Sequence, residues 1–294
     1  MSSVPPPSRS GSRRRAIVYA HFDPHGRFDP HVLRAIAAWR SVADRLVIVS
    51  AGGGPPPPAV RDVVDDCILR DNDGYDFCSW KAGLAALEPG LHDEVVCVND
   101  SVYGPLSDPA PLFSDPRVAS ADLWGMVLSE QAPLRRGTRR PHLQSWFFAM
   151  RRPFLDSQAC ADFWRQVEPL STKAEIIDRY EIGLSERALA AGFHVAALYD
   201  ARHAGRIALG ELLPHISLAA PRQAWRLLKK GRRGTHNPSE LVWWRLLAAG
   251  VPFVKVGLFR VNHYGLALGR LEAELGRRHP AHLALIRGHL ARCG

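Results

Sequence analysis

The chain has 294 residues, 46% of them hydrophobic, enough for one large domain, or a domain with an appendage, around a substantial core. Its 38 Lys and Arg against 29 Asp and Glu give a formal charge of +9, which favours anionic partners such as nucleotide phosphates, acidic lipids or nucleic acid. No apolar run reaches the roughly 18 residues of a bilayer span, and five widely separated cysteines without a C-x-x-C pair fit neither a disulfide framework nor a zinc site, so a reducing cytoplasm is expected.

Residues 1–14, MSSVPPPSRSGSRR, have almost nothing to bury and read as a disordered tail without the apolar stretch of a signal peptide. Beyond them, β-rich runs predict strands over 16–20, 46–50, 67–69, 94–98, 123–128 and 146–150. They alternate with helical patterns, so the fold class is α/β with a core over 15–200. The first helix has Asp29 as its cap and Pro30 at the first helical position, followed by apolar Val32, Leu33, Ile36 and Ala37. The stretch SAGGGPPPPAV after the second strand has neither a G-x-G-x-x-G fingerprint nor a following Lys-Ser/Thr. It reads as a turn stiffened by prolines.

Another helix begins near Asp76, with Phe77, Trp80, Leu84 and Leu87 on one face; Trp80, like Trp164, reads as core. After Asp200 the alternation fades into an elaboration of the same domain over 201–294: a basic segment at 222–233, a helix over 240–249, a strand over 253–256 and a helical tail from about Leu266. The basic segment holds Trp225, Leu227 and Leu228 among its Arg and Lys. It suits an anionic membrane surface, or equally a solvated loop or helix end. Charge alone supports no nucleic-acid reading, since no recognition motif accompanies it.

In open α/β sheets ligands sit beyond the carboxyl ends of the strands, so polar residues directly after strands carry the most weight. His21 and Asp23 follow the first strand. Arg70, Asn72, Gly74, Asp76 and Lys81 follow the third, where a guanidinium and a helix start suit base or ribose recognition, with a structural loop as the alternative. Asn99, Asp100 and Ser101 end the fourth strand in DEVVCVNDSVYGP. A buried carboxylate there needs a cation, a metal or several donors, unless Asp100 merely caps the turn.

RDNDGYDFCSWKAGL, VNDSVYGPL, HLQSWFFAMRR, RYEIGLSERALAAGF and NPSELVWWRLLAAGVPFVKVGLFRVN together resemble, in that order, the blocks of the rhamnan synthesis protein F family, over residues 15 to about 264. That family is similar to GT-A glycosyltransferases, a nucleotide-binding Rossmann-like sheet joined to an acceptor-binding half. The resemblance puts Asn99-Asp100-Ser101 where such enzymes keep Asp-x-Asp for a metal on the sugar-nucleotide diphosphate. With one carboxylate left, either Asp100 holds a divalent metal (Mg²⁺ or Mn²⁺), or metal binding is weak or absent and basic side chains neutralise the diphosphate instead. It makes Glu181, in a carboxylate segment at a helix start, the general base, with a capping or surface Glu as the alternative. His142, Gln144 and Ser145 fall in a block that resembles the part meeting donor sugar and acceptor, with strand-cap roles as the alternative, and His236, Asn237 and Arg260 fall in the last block, where closing the site is one of the roles open to them.

The resemblance further implies an inverting transferase moving L-rhamnose from dTDP-L-rhamnose to a bacterial surface polysaccharide or its lipid-linked precursor. That activity belongs in the cytoplasm, at the inner face of the plasma membrane. A transferase of another sugar nucleotide, or a non-catalytic binder of one, shares the same residues.

Overall fold

The computed structural model describes residues 13–88, 90–130, 140–204, 207–216, 221, 225 and 236–293. Of the basic segment 222–233 only Trp225 falls within them, and the tail 1–12 lies outside. The chain is tied down earlier than the sequence suggested, because the Arg14 amide donates to Asp93 Oδ2 at 2.8 Å.

In chain order the first elements are β1 (Arg15–Phe22), α1 (Pro30–Arg40), β2 (Arg45–Ala51), α2 (Pro58–Arg61), β3 (Asp66–Arg70), α3 (Tyr75–Ala85), β4 (Glu94–Asn99) and β5 (Val102–Tyr103). Four more strands join the main sheet, β6 (Leu123–Ser129), β7 (His142–Leu143), β8 (Phe147–Arg151) and β9 (Val195–Asp200), and β10 (Val254–Lys255) pairs with β5. The main sheet runs β3-β2-β1-β4-β8-β6-β7, with β9 on the other side of β6. Strands β1 to β4 are parallel, β8 is antiparallel to β4 and β6, and β9 is parallel to β6.

Parallel strands buried on both faces are apolar almost without interruption, as RAIVYAHF and EVVCVN are. Alternate side chains feed two cores. Ile17, Tyr19, Leu46 and Ile48 face the layer of α1 and the C-terminal helix Pro280–Cys293, whereas Val18, Ala20, Val47 and Val49 face α3 and the helices of 158–190. Helix α3 lies tight on the sheet because Gly83 has no side chain: a Cβ there would come within 2.3 Å of Val18 Cγ1. The glycines of SAGGG are steric too, since a Cβ on Gly53 would meet the Gly26 nitrogen at 2.7 Å.

One buried carboxylate ties the sheet together. Glu94, wholly inaccessible at the start of β4, accepts from Arg15 Nε (2.7 Å), Arg151 Nε (3.0 Å) and Trp124 Nε1 (2.9 Å), joining β1, β4, β8 and β6.

Several expected elements change. Asp29 stands at the N-cap of α1 but its side chain makes no cap bond; it is drawn to Arg292 of the C-terminal helix. The helix expected over 240–249 is broken at Val242 into Pro238–Leu241 and Trp243–Ala248, and the strand over 253–256 shrinks to β10. Strand β9, hidden in an apolar stretch of mixed character, is an addition.

Candidate functional site

Strands β2 and β4 flank β1 on opposite sides, so the chain order reverses there and a crevice opens at the carboxyl ends of β1 and β4. A cleft of about 780 Å³ occupies this place. It brings together His21, Asp23, Asp76, Asn99, Asp100, Ser101, Gln144, Ser145, Glu181, Asn237 and Arg260 from the residues singled out in the sequence.

Asp100 directly follows β4, at its carboxyl end. The Phe22 amide of β1 donates to its Oδ2 at 2.7 Å, which is possible because Ala20 and Asn99 are register partners. Burial, helped by the neighbouring carboxylates Asp76 and Asp23, pushes the Asp100 carboxyl up to about 7 against the pull of that amide. Burial also raises Asp76, which accepts from Asn99 Nδ2 at 2.7 Å. Asp23 behaves oppositely. Its burial works upward, but the Arg27 and His25 amides and the Arg292 guanidinium outweigh it and hold the carboxyl below its ordinary range. His21 stacks on Phe28 at 4.0 Å, shares a 2.9 Å contact with Ser50 Oγ, and is driven by burial down to about 4, so the ring is neutral near pH 7.

On the facing wall, the antiparallel β8 brings its amino end beside the carboxyl end of β4, with Phe147 opposite Val98. Along β6, Leu128 pairs with Leu143 and Gly125 with Phe148, so five steps on one strand span three on the other. This bulge re-aims Gln144, Ser145 and Trp146 toward the cleft. The Ser145 amide donates to Glu181 Oε2 at 2.7 Å and its hydroxyl donates to the same oxygen, while Glu181 Oε1 stands 3.6 Å from His142 Nε2. Glu181 is not at a helix start: it sits in a π-helical turn, Ile177–Ile182, inside a helical run that continues as Gly183–Ala190. Such turns widen a helix locally and recur at functional sites.

The other residues singled out have different surroundings. Arg70 bonds Asp73 and donates to Ser79 Oγ at 3.1 Å; Lys81 donates to the Val167 carbonyl at 2.6 Å; Asn72 is exposed. Gly74 carries φ +72 at the start of α3, where a Cβ would strike Cys78 Sγ. None of these four lines the cleft, nor do His142, bonded through Nδ1 to the Arg140 carbonyl, and His236. Gln144 lines it, but its oxygen already accepts from Trp146 Nε1 and Ser239 Oγ, and its nitrogen donates to Asn237 Oδ1 at 2.7 Å, so it braces the wall.

Two cationic residues at the cleft escaped the sequence reading. Arg292, on the C-terminal helix, bridges Asp23 (2.9 Å) and Asp29. Lys255 of β10 reaches the site through the β5–β10 pair, in which it faces Val102; its Nζ donates to Ser101 Oγ at 2.9 Å. Burial lowers Lys255 to about 8, against the pull of Glu181. The only sequence signal was a lone lysine in the apolar run VPFVKVGLF.

A divalent cation can be tested against these side chains. Asp76 accepts from Asn99 and Asp100 from the Phe22 amide, while Asn99 and Ser101 bond each other and the Lys255 ammonium stands on Ser101. Among the described residues no group of three or more His, Cys, Asp or Glu is placed to hold a metal.

The sheet is an open, largely parallel α/β architecture with its cleft at the topological switch point. The chain belongs to the rhamnan synthesis protein F family, whose model matches residues 57–222. It is 28% identical over 134 residues to the uncharacterized protein y4gN of Sinorhizobium fredii (45% of this chain, 34% of that one), and 26% identical over 209 residues to virulence protein VirA of Vibrio anguillarum (68% and 64%). The chain thus spans between a third and just under two thirds of these curated relatives. Among solved structures it is similar to the inositol-1-phosphate CTP transferase of T. maritima (TM-score 0.38, 14% identity, 65% of this chain and 86% of that one). It is also similar to glucosyl-3-phosphoglycerate synthase of Mycobacterium tuberculosis in complex with Mn²⁺, UDP and phosphoglyceric acid (0.36, 14%, 77% and 81%).

Proposed function

We propose that the protein is a glycosyltransferase that moves L-rhamnose, with inversion, from dTDP-L-rhamnose to a bacterial surface polysaccharide or its lipid-linked precursor. One observation carries the chemistry: Glu181 is held by Ser145 through one oxygen, so Oε1 is left for an acceptor hydroxyl in the same cleft as Asp100 and Lys255. In the reaction the acceptor oxygen attacks the anomeric carbon and its proton passes to Glu181. The bond from that carbon to the diphosphate breaks, and its electron pair leaves with the diphosphate. Where bound, a divalent cation would share that charge, with Asp100 and Asp76 as the side chains to hold it. Membership of the rhamnan synthesis protein F family supports the choice of donor sugar. A lipid-linked acceptor places the work at the inner face of the plasma membrane; among the described residues no helix is long and apolar enough to cross one.

The test is titration with dTDP, UDP and GDP, followed by transfer and donor-hydrolysis assays with the matching sugar nucleotides. Preference for dTDP with turnover of dTDP-L-rhamnose supports the reading. Turnover of another sugar nucleotide replaces the donor, and binding without transfer or hydrolysis makes the protein a sugar-nucleotide binder. No nucleotide binding at all defeats the reading.

The pH dependence of dTDP binding is a second expectation. Without metal, an ionised Asp100 repels the diphosphate, so affinity should fall as pH rises through about 7, and Asp100→Asn should flatten that profile. If the carboxylate bound a metal with the nucleotide, affinity would instead rise through the same range. The sign for stability follows from the same shift. Between the ordinary carboxylate range and about 7 the folded chain keeps a proton at Asp100 that the unfolded chain has lost, so this group removes stability as pH climbs through that window.

A further inference from the structure

The Asp-x-Asp position in this chain is a hydrogen-bonded relay with a cation at its end. Lys255 Nζ donates to Ser101 Oγ (2.9 Å), the Ser101 hydroxyl and amide donate to Asn99 Oδ1 (2.6 and 3.1 Å), and Asn99 Nδ2 donates to Asp76 Oδ2 (2.7 Å). A carboxylate at position 101 would neutralise the lysine and leave an acidic pair for a metal. Serine does neither. Among the described residues the hydroxyl of Ser101 is the one hydrogen-bond partner of the ammonium, which has three donors to offer. The Trp146 ring, with its centroid 5.9 Å from Nζ, covers one side, and the cleft opens on the other.

Such a charge is costly to keep in a cleft without an anion. Glu181, Glu240 and Asp76 act on the ammonium through space, and a diphosphate entering beside Asp76 and Asp100 needs a positive partner at that point.

We infer that Lys255 is the catalytic cation of this site: its ammonium binds the diphosphate of the sugar nucleotide and stabilises it as it departs, in the place of a metal. This rests on the transferase reading above. The lysine keeps its proton throughout and donates hydrogen bonds to the phosphate oxygens. The glycosidic electron pair goes to the diphosphate, and the acceptor's proton goes to Glu181. Serine at 101 then has a purpose, because it holds the ammonium in place without neutralising it.

Calorimetric titration of the full chain with dTDP and UDP, in EDTA and in Mn²⁺, tests this on the wild type, Lys255→Met, Lys255→Arg and Ser101→Asp. The wild type should bind dTDP in EDTA, and Lys255→Met should weaken that binding by about 10- to 100-fold, the effect of removing a hydrogen-bonded charge. Lys255→Arg should keep most of it. Ser101→Asp, which gives the lysine a carboxylate, should lose affinity in EDTA and regain it with Mn²⁺. Unchanged binding by Lys255→Met overturns the inference, as does a wild type that binds only with Mn²⁺. Should Lys255→Met not fold, as judged by circular dichroism, Ser101→Asp decides: affinity equal to wild type in EDTA also overturns it. A wild type that binds no nucleotide under either condition defeats the transferase reading itself, an outcome distinct from the others.

Discussion

Glu181→Gln should bind dTDP as the wild type does and transfer sugar about 10²- to 10⁴-fold more slowly, the usual contribution of a positioned general base. Glutamine preserves the local geometry, because its carbonyl oxygen can accept the same two hydrogen bonds from the Ser145 amide and hydroxyl. What it loses is the capacity to take a proton at the oxygen beside His142. The effect should therefore fall on kcat, with donor affinity unmoved. Ser145→Ala acts through Glu181 by freeing the carboxylate to turn, so it should cost less, and its penalty should disappear in the Glu181→Gln background. Single-turnover transfer measured beside dTDP titration separates the two effects. A Glu181→Gln enzyme with wild-type turnover would remove Glu181 from the base role and leave the cleft a binding site.

Glu94→Ala should destabilise the fold by about 3–5 kcal/mol, the cost of removing one partner from a buried ion pair. It strips Arg15 and Arg151 of their carboxylate and leaves the Trp124 indole N–H without its acceptor. Arg151 cannot swing out to water, because its Nη1 is pinned to the carbonyls of Val118, Ala119 and Ala121 at 2.6 to 2.8 Å. Against a total stability of about 5–15 kcal/mol, this loss is large enough to depress yield as well as the urea midpoint. The companion Glu94→Leu/Arg151→Met should recover much of it, since an apolar pair of similar volume carries no desolvation cost. A urea midpoint within error of wild type for Glu94→Ala would show that the remaining groups find other partners.

How much of this was legible beforehand depends on the range of the forces involved. Strand β4 and its polar end could be read from VVCVND, because a strand buried on both faces has to be apolar and the cleft of an open sheet lies past its carboxyl ends. That logic led to His21, Asp23, Asn99 and Asp100. It failed at Arg70 and Lys81, which also follow a strand but sit on the edge side of the sheet, where Asp73, Ser79 and the Val167 carbonyl take their donors. Glu181 was found through a family block, yet its local setting was misread. A π-helical turn has no composition of its own, and the Ile177–Ile182 stretch looks like any segment before a helix.

By itself, then, the sequence determined the α/β alternation, the parallel half of the sheet and the carboxylate at the end of β4, because hydrophobic period and strand length are local properties of the chain. The tertiary structure alone decided which charges meet there. Lys255 is 154 residues from Ser101, and Arg292 is 269 from Asp23. Neither pairing leaves a trace in spacing or pattern, since a two-residue strand and the last turn of a C-terminal helix acquire their meaning only from the surface against which they pack.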